Sequence, residues 1–285
     1  MTDAIPRTRA ELVALLESRG LRLTKRHGQS LLVDPNLADA IVADAGVTAR
    51  DAVVEIGPGA GGLTQPLLAA AGRVTAVEID AGLFELLRER LGGETKLRLV
   101  HGDCLDGGLH AEIVGALASA RSSGFARALV VANLPYSVGT EALARLMDLE
   151  PPPDAVVAML QDDVVARLRA APGTRDYGPL AVLAETTGRV ETRRRVPPAV
   201  FFPRPSVESV VFRWTPDAAR RAPPAVRRRA NELAGLAFRQ RRKTLGRSLR
   251  GVVEESDLAA AGIDAAARPE SVAAEAWARL ARRAP

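Results

Sequence analysis

The chain has 285 residues, 47% of them hydrophobic, a length that accommodates one large α/β domain and a smaller second domain. Its single cysteine, Cys104, excludes an intramolecular disulfide, and no Cys/His cluster predicts a metal site. The net charge of +5 and an isoelectric point near 10.1 favour a polyanionic partner.

The sequence contains neither a signal-peptide pattern nor a membrane-spanning pattern. The first ten residues lack the apolar core of a signal peptide, and no apolar run approaches the ~18 residues of a membrane span. We therefore expect a cytoplasmic protein without a membrane partner.

The first elements along the chain are helices with clear start signals. Thr8 and Glu11 form a capping-box pattern that opens a short helix, and Asp34 followed by Pro35 opens the next one. Five short β-branched runs follow and alternate with helical stretches. The predicted strands span residues 52–56, 73–79, 97–100, 128–132 and 155–160, and the predicted helices span 62–71, 83–91, 109–120 and 140–149.

This alternation predicts a parallel sheet with helices on both faces. Two further strand-like runs, residues 189–196 and 207–214, predict a hairpin at the sheet edge, which makes seven strands. The proline-rich segment 216–224 is the best domain boundary, and only helical periodicity follows it. We therefore expect an α/β domain over residues 1–216, with a helical lead-in over about 1–33, and a small helical domain over 217–285.

A glycine-rich loop follows the first predicted strand of the sheet and runs into a helix. Glycine lets the backbone turn sharply and approach a ligand closely. The spacing fits both the E-x-G-x-G-x-G pattern of class I methyltransferases and the G-x-G-x-x-G pattern of dinucleotide enzymes, so this loop alone leaves the cofactor open. The residues that carry it are Glu55, Gly57, Gly59 and Gly61.

Two acidic residues follow the next strands. Glu78 ends the second strand, where a carboxylate can accept the ribose hydroxyls of either cofactor. Asp103 follows the third strand and is placed to accept a hydrogen bond from an adenine amino group, although an aspartate there also suits a turn.

The tetrapeptide Asn133-Leu134-Pro135-Tyr136 follows the fourth predicted strand and distinguishes between the two cofactors. The Asn133 side-chain oxygen and the Leu134 carbonyl can accept the two hydrogens of an adenine amine and orient its lone pair, while Pro135 stiffens the turn. Tyr136 can stack on a base removed from its neighbours, and Phe201 could close the other face. This chemistry favours a methyltransferase that uses S-adenosylmethionine.

A dense basic run lies in the predicted helical domain. Residues 218–251 hold eleven basic residues and one acidic residue. We interpret this run as a phosphate-binding surface rather than a solvated helix face. The predicted RNA-binding residues are Arg239, Arg241, Arg242, Lys243 and Arg247.

With these motifs in place, the sequence resembles the bacterial 16S rRNA adenine dimethyltransferases from about residue 25 to residue 280. The resemblance implies a Rossmann-like class I methyltransferase fold and dimethylation of two adjacent adenines near the 3′ end of small-subunit rRNA, in a partly assembled particle. It also implies that Gln29, Ser30 and Leu32 line the cofactor pocket. Ser30-Leu31 and Ser137 depart from the residues usual in that family.

Three alternatives remain open at this point. The chain could be a non-catalytic assembly factor that binds rRNA, a nicotinamide oxidoreductase, or a 23S rRNA adenine methyltransferase. We expect a monomer.

Overall fold

The computed structural model describes residues 5–6, 8–23 and 29–284. Its centre is a seven-stranded sheet in the order β4-β3-β2-β5-β6-β9-β7, in which β4, β3, β2, β5 and β6 are parallel and β9 is antiparallel to β6. These strands are β2 Asp51–Ile56, β3 Arg73–Glu78, β4 Leu97–His101, β5 Arg127–Asn133, β6 Ala155–Gln161, β7 Gly188–Val196 and β9 Ser209–Pro216.

Helices connect the parallel strands, as the alternating pattern predicted. They are α3 Thr64–Ala70, α4 Ala81–Leu91, α5 Ala111–Ser119 and α6 Gly139–Asp148, preceded by α1 Arg9–Ser18 and α2 Pro35–Ala45. The central strands β2, β5 and β6 are buried along almost their whole length, because helices cover a parallel sheet on both faces. Their carboxyl ends therefore meet at one edge, where ligands bind in folds of this kind.

Two short strands that the sequence analysis missed connect the N-terminal region to a later loop. Leu31 pairs with Phe202 and Leu32 with Phe201, so β1 Leu31–Leu32 and β8 Phe201–Phe202 form a small antiparallel sheet. Each of these strands has only two residues, which is too short for an alternating apolar and polar pattern to be recognised in the sequence. We call residues 29–32 the strap and residues 201–205 the rim loop.

The start signals of the first two helices are confirmed. Thr8 accepts a hydrogen bond from the Glu11 backbone N–H at 3.2 Å, and Asp34 accepts one from Asn36 at 2.9 Å. α1 packs on α4 and the strap through a cluster of buried leucines that includes Leu12 and Leu16. The remainder of the expected lead-in, residues 1–4, 7 and 24–28, lies outside the described residues.

Contacts divide the chain into two compact units. The first comprises Met1–Leu146, Pro153–Asp162 and Glu191–Trp214, and the second comprises Met147–Pro152, Asp163–Val190 and Thr215–Pro285. The second unit is helical, with α7 Asp162–Leu168, α8 Pro179–Thr187, α9 Pro224–Phe238, α10 Leu245–Ser248, α11 Glu255–Ala260 and α12 Ala274–Arg283.

The division differs from the boundary expected at residue 216. The sequence analysis assigned residues 163–190 to the first domain, but contacts group them with the helical unit. The reason is that α8 packs against α9 and α12 and buries Tyr177, Ala181 and Val182 in their common core. The sequence of an apolar helix indicates that one face is buried, but it does not indicate which other elements pack against that face.

Candidate active site

Glu78 ends β3 at the carboxyl edge of the sheet. Its two carboxylate oxygens accept hydrogen bonds from the backbone N–H groups of Gly59 and Asp80, each at 2.9 Å. Burial raises the pKa of Glu78, and these backbone hydrogen bonds act in the opposite direction. The side chain is thereby held in one position facing a pocket at this edge.

The glycine loop, residues 57–62, turns beneath the strap. Gly57 and Gly59 have φ values of +68° and +61°, which favour glycine. A Cβ on Gly59 would also lie 2.4 Å from Leu31 Cδ2, and one on Gly57 would lie 3.2 Å from Pro135 Cγ. Side chains are therefore excluded where the loop approaches the strap and the tetrapeptide.

Asn133, the last residue of β5, is hydrogen-bonded to the strap. Its Nδ2 donates to the Ser30 carbonyl at 2.8 Å, which fixes the orientation of the side-chain amide. The Oδ1 atom has no hydrogen-bonding partner among the described residues. Asn133 thus presents one acceptor in the pocket, as the orientation of an amine requires.

The remainder of the tetrapeptide forms the opposite wall. The Pro135 carbonyl accepts the N–H groups of Val138 and Gly139 and so starts α6. The Tyr136 hydroxyl lies 2.6 Å from the Ser209 hydroxyl, at the first residue of β9. Burial raises the pKa of Tyr136, so its hydroxyl stays protonated at neutral pH while this bond fixes the ring.

The pocket brings together most of the predicted site and is narrow, with a volume of about 30 Å³. Leu31 of the strap lies over Gly59 and lines the pocket. The predicted residues on its wall are Gln29, Ser30, Gly57, Gly59, Glu78, Asn133, Leu134, Pro135 and Tyr136.

Glu55 was predicted to touch the cofactor, but the structure buries it beneath the glycine loop, with 1% of its surface exposed. Burial, and to a smaller extent the Glu78 charge, raise the pKa of Glu55 to about 8, while the nearby Thr64 hydroxyl lowers it. Glu55 is therefore protonated at neutral pH.

Four further predicted residues lie away from the pocket wall. Asp103 is exposed and accepts the Leu105 N–H at 2.9 Å, so it forms a turn in this structure. Gly61 packs against Leu87, and Leu32 lies in β1. Phe201 is fully buried in the core of the first unit, because alternation along β8 directs it inward and the neighbouring Phe202 outward.

Two residues that hold the site together were not predicted. Ser209 fixes Tyr136, and Asp80 accepts a hydrogen bond from Gln29 Nε2 at 3.1 Å while its Oδ1 caps α4. Ser209 lies 73 residues from its partner, so only the fold reveals their contact. Asp80 lies three residues before the helix predicted over residues 83–91, a position that indicated at most a helix cap.

The predicted RNA-binding residues lie in the helical unit and differ among themselves. Arg239, Arg242, Lys243 and Arg247 are exposed and make no ion pair within the described part of the chain. Arg241 is half-buried instead: it donates to the Thr174 and Arg175 carbonyls, at 3.1 and 2.6 Å, and lies 3.7 Å from Glu270. Arg241 therefore stabilises the unit, and the other four are available to a ligand.

A second arginine cluster, in the edge strand β7, is neutralised by nearby carboxylates. Arg194 forms a bidentate pair with Asp44, Arg193 pairs with Glu191, and Arg195 pairs with Asp162. This cluster is a weaker phosphate-binding candidate than the exposed cluster of the helical unit.

The parallel sheet, the glycine loop after its first long strand, the carboxylate that ends the next strand and the tetrapeptide after β5 together define a class I methyltransferase. Residues 20–284 match the family model described as ribosomal RNA adenine dimethylase, and the chain belongs to that family. Among the described residues, no helix has the length and apolar character required to cross a membrane.

Curated relatives match over nearly the whole chain. The chain is 40% identical to ribosomal RNA small subunit methyltransferase A of Magnetococcus marinus, over 94% of each chain. It is 38% identical to the protein of the same name in Moorella thermoacetica, over 96% of this chain and 97% of the relative.

Solved structures show the same fold. A dimethyladenosine transferase from Plasmodium falciparum superposes with a TM-score of 0.70 at 22% identity, covering 88% of this chain and 95% of that one. The 23S rRNA methyltransferase ErmE superposes with a TM-score of 0.61 at 26% identity, covering 89% of this chain and 99% of that one.

Proposed function

We propose that this protein uses S-adenosylmethionine to dimethylate the N6 atoms of two adjacent adenines near the 3′ end of small-subunit rRNA. Within a family of rRNA adenine dimethylases, the named relatives at 38–40% identity favour the small subunit. The observation that carries the chemistry is the Asn133 side chain on the pocket wall, whose Nδ2 is bound to the Ser30 carbonyl while its oxygen has no partner among the described residues.

The residues around the pocket fit the cofactor. The Glu78 carboxylate retains lone pairs for ribose hydroxyls beyond its two backbone hydrogen bonds, and Gly57 and Gly59 leave room for close approach. The strap, the glycine loop and the tetrapeptide together enclose this pocket, so the cofactor would be held between them.

The chain's own groups orient the amine. S-adenosylmethionine supplies a methyl group on a positively charged sulfur, which needs no further activation. Asn133 Oδ1 and the Leu134 carbonyl accept the two amine hydrogens, so the nitrogen lone pair is directed rather than delocalised over the ring. Tyr136, fixed by Ser209, stacks on the base. Catalysis then rests on proximity and orientation, and the amine proton leaves after transfer.

The helical unit carries an RNA-binding surface of its own in this proposal. Arg239, Arg242, Lys243 and Arg247 are free to neutralise phosphates, because their charges are not paired within the described residues. We further propose that the protein acts as a monomer, in the cytoplasm, on a partly assembled small-subunit particle, where the 3′ region of the RNA is still accessible.

The decisive experiment is a mass-spectrometric map of N6,N6-dimethyladenine in both rRNAs, with and without the gene and with an Asn133→Ala copy. We expect two adjacent modified adenines in small-subunit rRNA only when the unaltered gene is present. Modification of 23S rRNA instead would move the substrate to the large subunit. Full modification by the Asn133→Ala copy would refute the role of the tetrapeptide.

The cofactor site is tested separately by calorimetry. Glu78→Ala removes the charged acceptor, and a hydrogen bond to a charged group contributes about 1.5–3 kcal/mol. S-adenosylmethionine binding should weaken at least about tenfold. Glu89→Ala, an exposed carboxylate of α4 paired with Arg19, is the matched control and should bind normally.

A further inference from the structure

Two exposed arginines lie beside the strap and the rim loop. Arg9, the first residue of α1, stacks over the Phe202 ring with its guanidinium carbon 5.3 Å from the ring centroid. Arg204 follows Pro203 in the rim loop and is exposed. Neither arginine makes an ion pair with any carboxylate in the described ranges.

A short series of contacts connects the rim loop to Asn133. The Ser30 carbonyl accepts a hydrogen bond from Asn133, and the Ser30 hydroxyl donates to the Pro203 carbonyl at 3.4 Å. Leu31, on the pocket wall, pairs with Phe202. Ser30 is therefore hydrogen-bonded both to the rim loop and to Asn133, the side chain that receives the adenine in the proposed function. Arg9 contacts the same loop through Phe202.

We propose that Arg9 and Arg204 bind the RNA phosphates flanking the adenine that is held at Asn133. This inference rests on the proposed function. A base that enters the pocket must be rotated out of its stack, which brings the phosphates on its two sides to the pocket rim. Guanidinium groups bind phosphate oxygens with paired N–H donors, and unpaired arginines do so without first breaking an ion pair.

The contrast with the arginines of β7 and with Arg19 supports the assignment. Arg193, Arg194 and Arg195 are all paired with carboxylates, and Arg19, the C-cap of the helix that Arg9 begins, pairs with Glu89 at 2.6 Å. Arg9 instead lies on an aromatic ring, which positions a guanidinium without neutralising it. Arg9 of α1 and Arg204 of the rim loop thus keep their full charge for an anionic ligand.

The test measures methyl transfer to small-subunit particles from cells that lack the protein, at several salt concentrations. Arg204→Gln and Arg9→Gln should each raise KM for the particle about tenfold at low salt, with kcat within about twofold. The slope of log(kcat/KM) against log salt should become shallower by about 0.7 for each lost contact with single-stranded RNA. Arg204→Lys keeps the charge and should restore the slope.

Arg19→Gln is the matched control and should behave like the unaltered protein. A purely structural role would change the melting temperature or S-adenosylmethionine affinity and leave the salt slope unchanged, so both are measured for every variant. Unaltered KM and salt slope in Arg9→Gln and Arg204→Gln would overturn the assignment while leaving the proposed function intact. Absence of methyl transfer by the unaltered protein would overturn both.

Discussion

Replacing Glu55 by glutamine should change how the stability of the sheet unit depends on pH. Glu55 is buried, and its pKa is raised from 4.5 to about 8 because burial disfavours the charged form and Glu78 lies nearby. The folded protein therefore keeps this proton up to about pH 8, whereas the unfolded chain releases it near 4.5. Between these values the unfolded state binds fewer protons, so stability falls as pH rises.

The size of the effect follows from the same two pKa values. At about 1.36 kcal/mol per pH unit, the full interval corresponds to roughly 4–5 kcal/mol, and the accessible range from pH 5.5 to 8 corresponds to about 3 kcal/mol. Glu55→Gln removes the titration. The variant can be less stable at pH 5.5, because a buried amide adds an unsatisfied donor, but its stability should lose this part of the pH dependence.

Urea unfolding at several pH values measures the difference. The chain has two tryptophans, both fully buried, with Trp214 in β9 and Trp277 in α12. A Trp277→Phe background leaves Trp214 as the single reporter in the sheet unit. Glu94→Gln, at an exposed position, is the control. Parallel pH curves for Glu55→Gln and its background would show that Glu55 is ionised in the folded state, and the reasoning would fail.

Three further predictions follow from contacts in the two units. Asn133→Ala should reduce kcat by at least about a hundredfold, because the lost acceptor acts mainly in the transition state. RNA binding measured by calorimetry should change little. An unchanged kcat would contradict the mechanism. Replacing Arg242 and Lys243 by glutamine should flatten the salt slope of particle binding by about 1.4, and a slope equal to that of the unaltered protein would make them a solvated surface. Arg227→Ala should lower the free energy of unfolding by about 2–4 kcal/mol, because Arg227 is 1% exposed and bridges Asp148 and Glu150. Arg228→Ala, at an exposed position, is the control and should change the free energy of unfolding little. Equal losses in the two variants would contradict the role of the buried ion pairs.

The sheet was predictable because its signals are local. Strand β2 was expected over residues 52–56 and spans Asp51–Ile56, and the helix after it was placed within a few residues of α3. These signals are local, since each depends on a few neighbouring positions. They are the β-branched runs of the strands, the glycines at turns and the helix cap at Asp34. For the parallel strands and the helices between them, the prediction is confirmed.

The site was predictable in its positions at strand ends and less so in which side chains face the pocket. Glu78 ends β3 and Asn133 ends β5, the two strands on either side of β2, and both residues line the pocket. Glu55 also lies near a strand end, but its side chain points beneath the glycine loop, and Phe201 belongs to a strand too short to detect. The bond between Tyr136 and Ser209 joins distant positions, which no local pattern encodes.

The helical unit is discontinuous in sequence, and this affects how the protein can be divided and how it folds. Its core combines Tyr177 and Val182, from the middle of the chain, with Leu233 and Trp277 from the last third. A fragment of residues 217–285 should not fold alone, and its removal should expose the apolar face of α8. During synthesis α8 must wait for about ninety further residues before Trp277 covers it, so its apolar face is available to a chaperone throughout that interval.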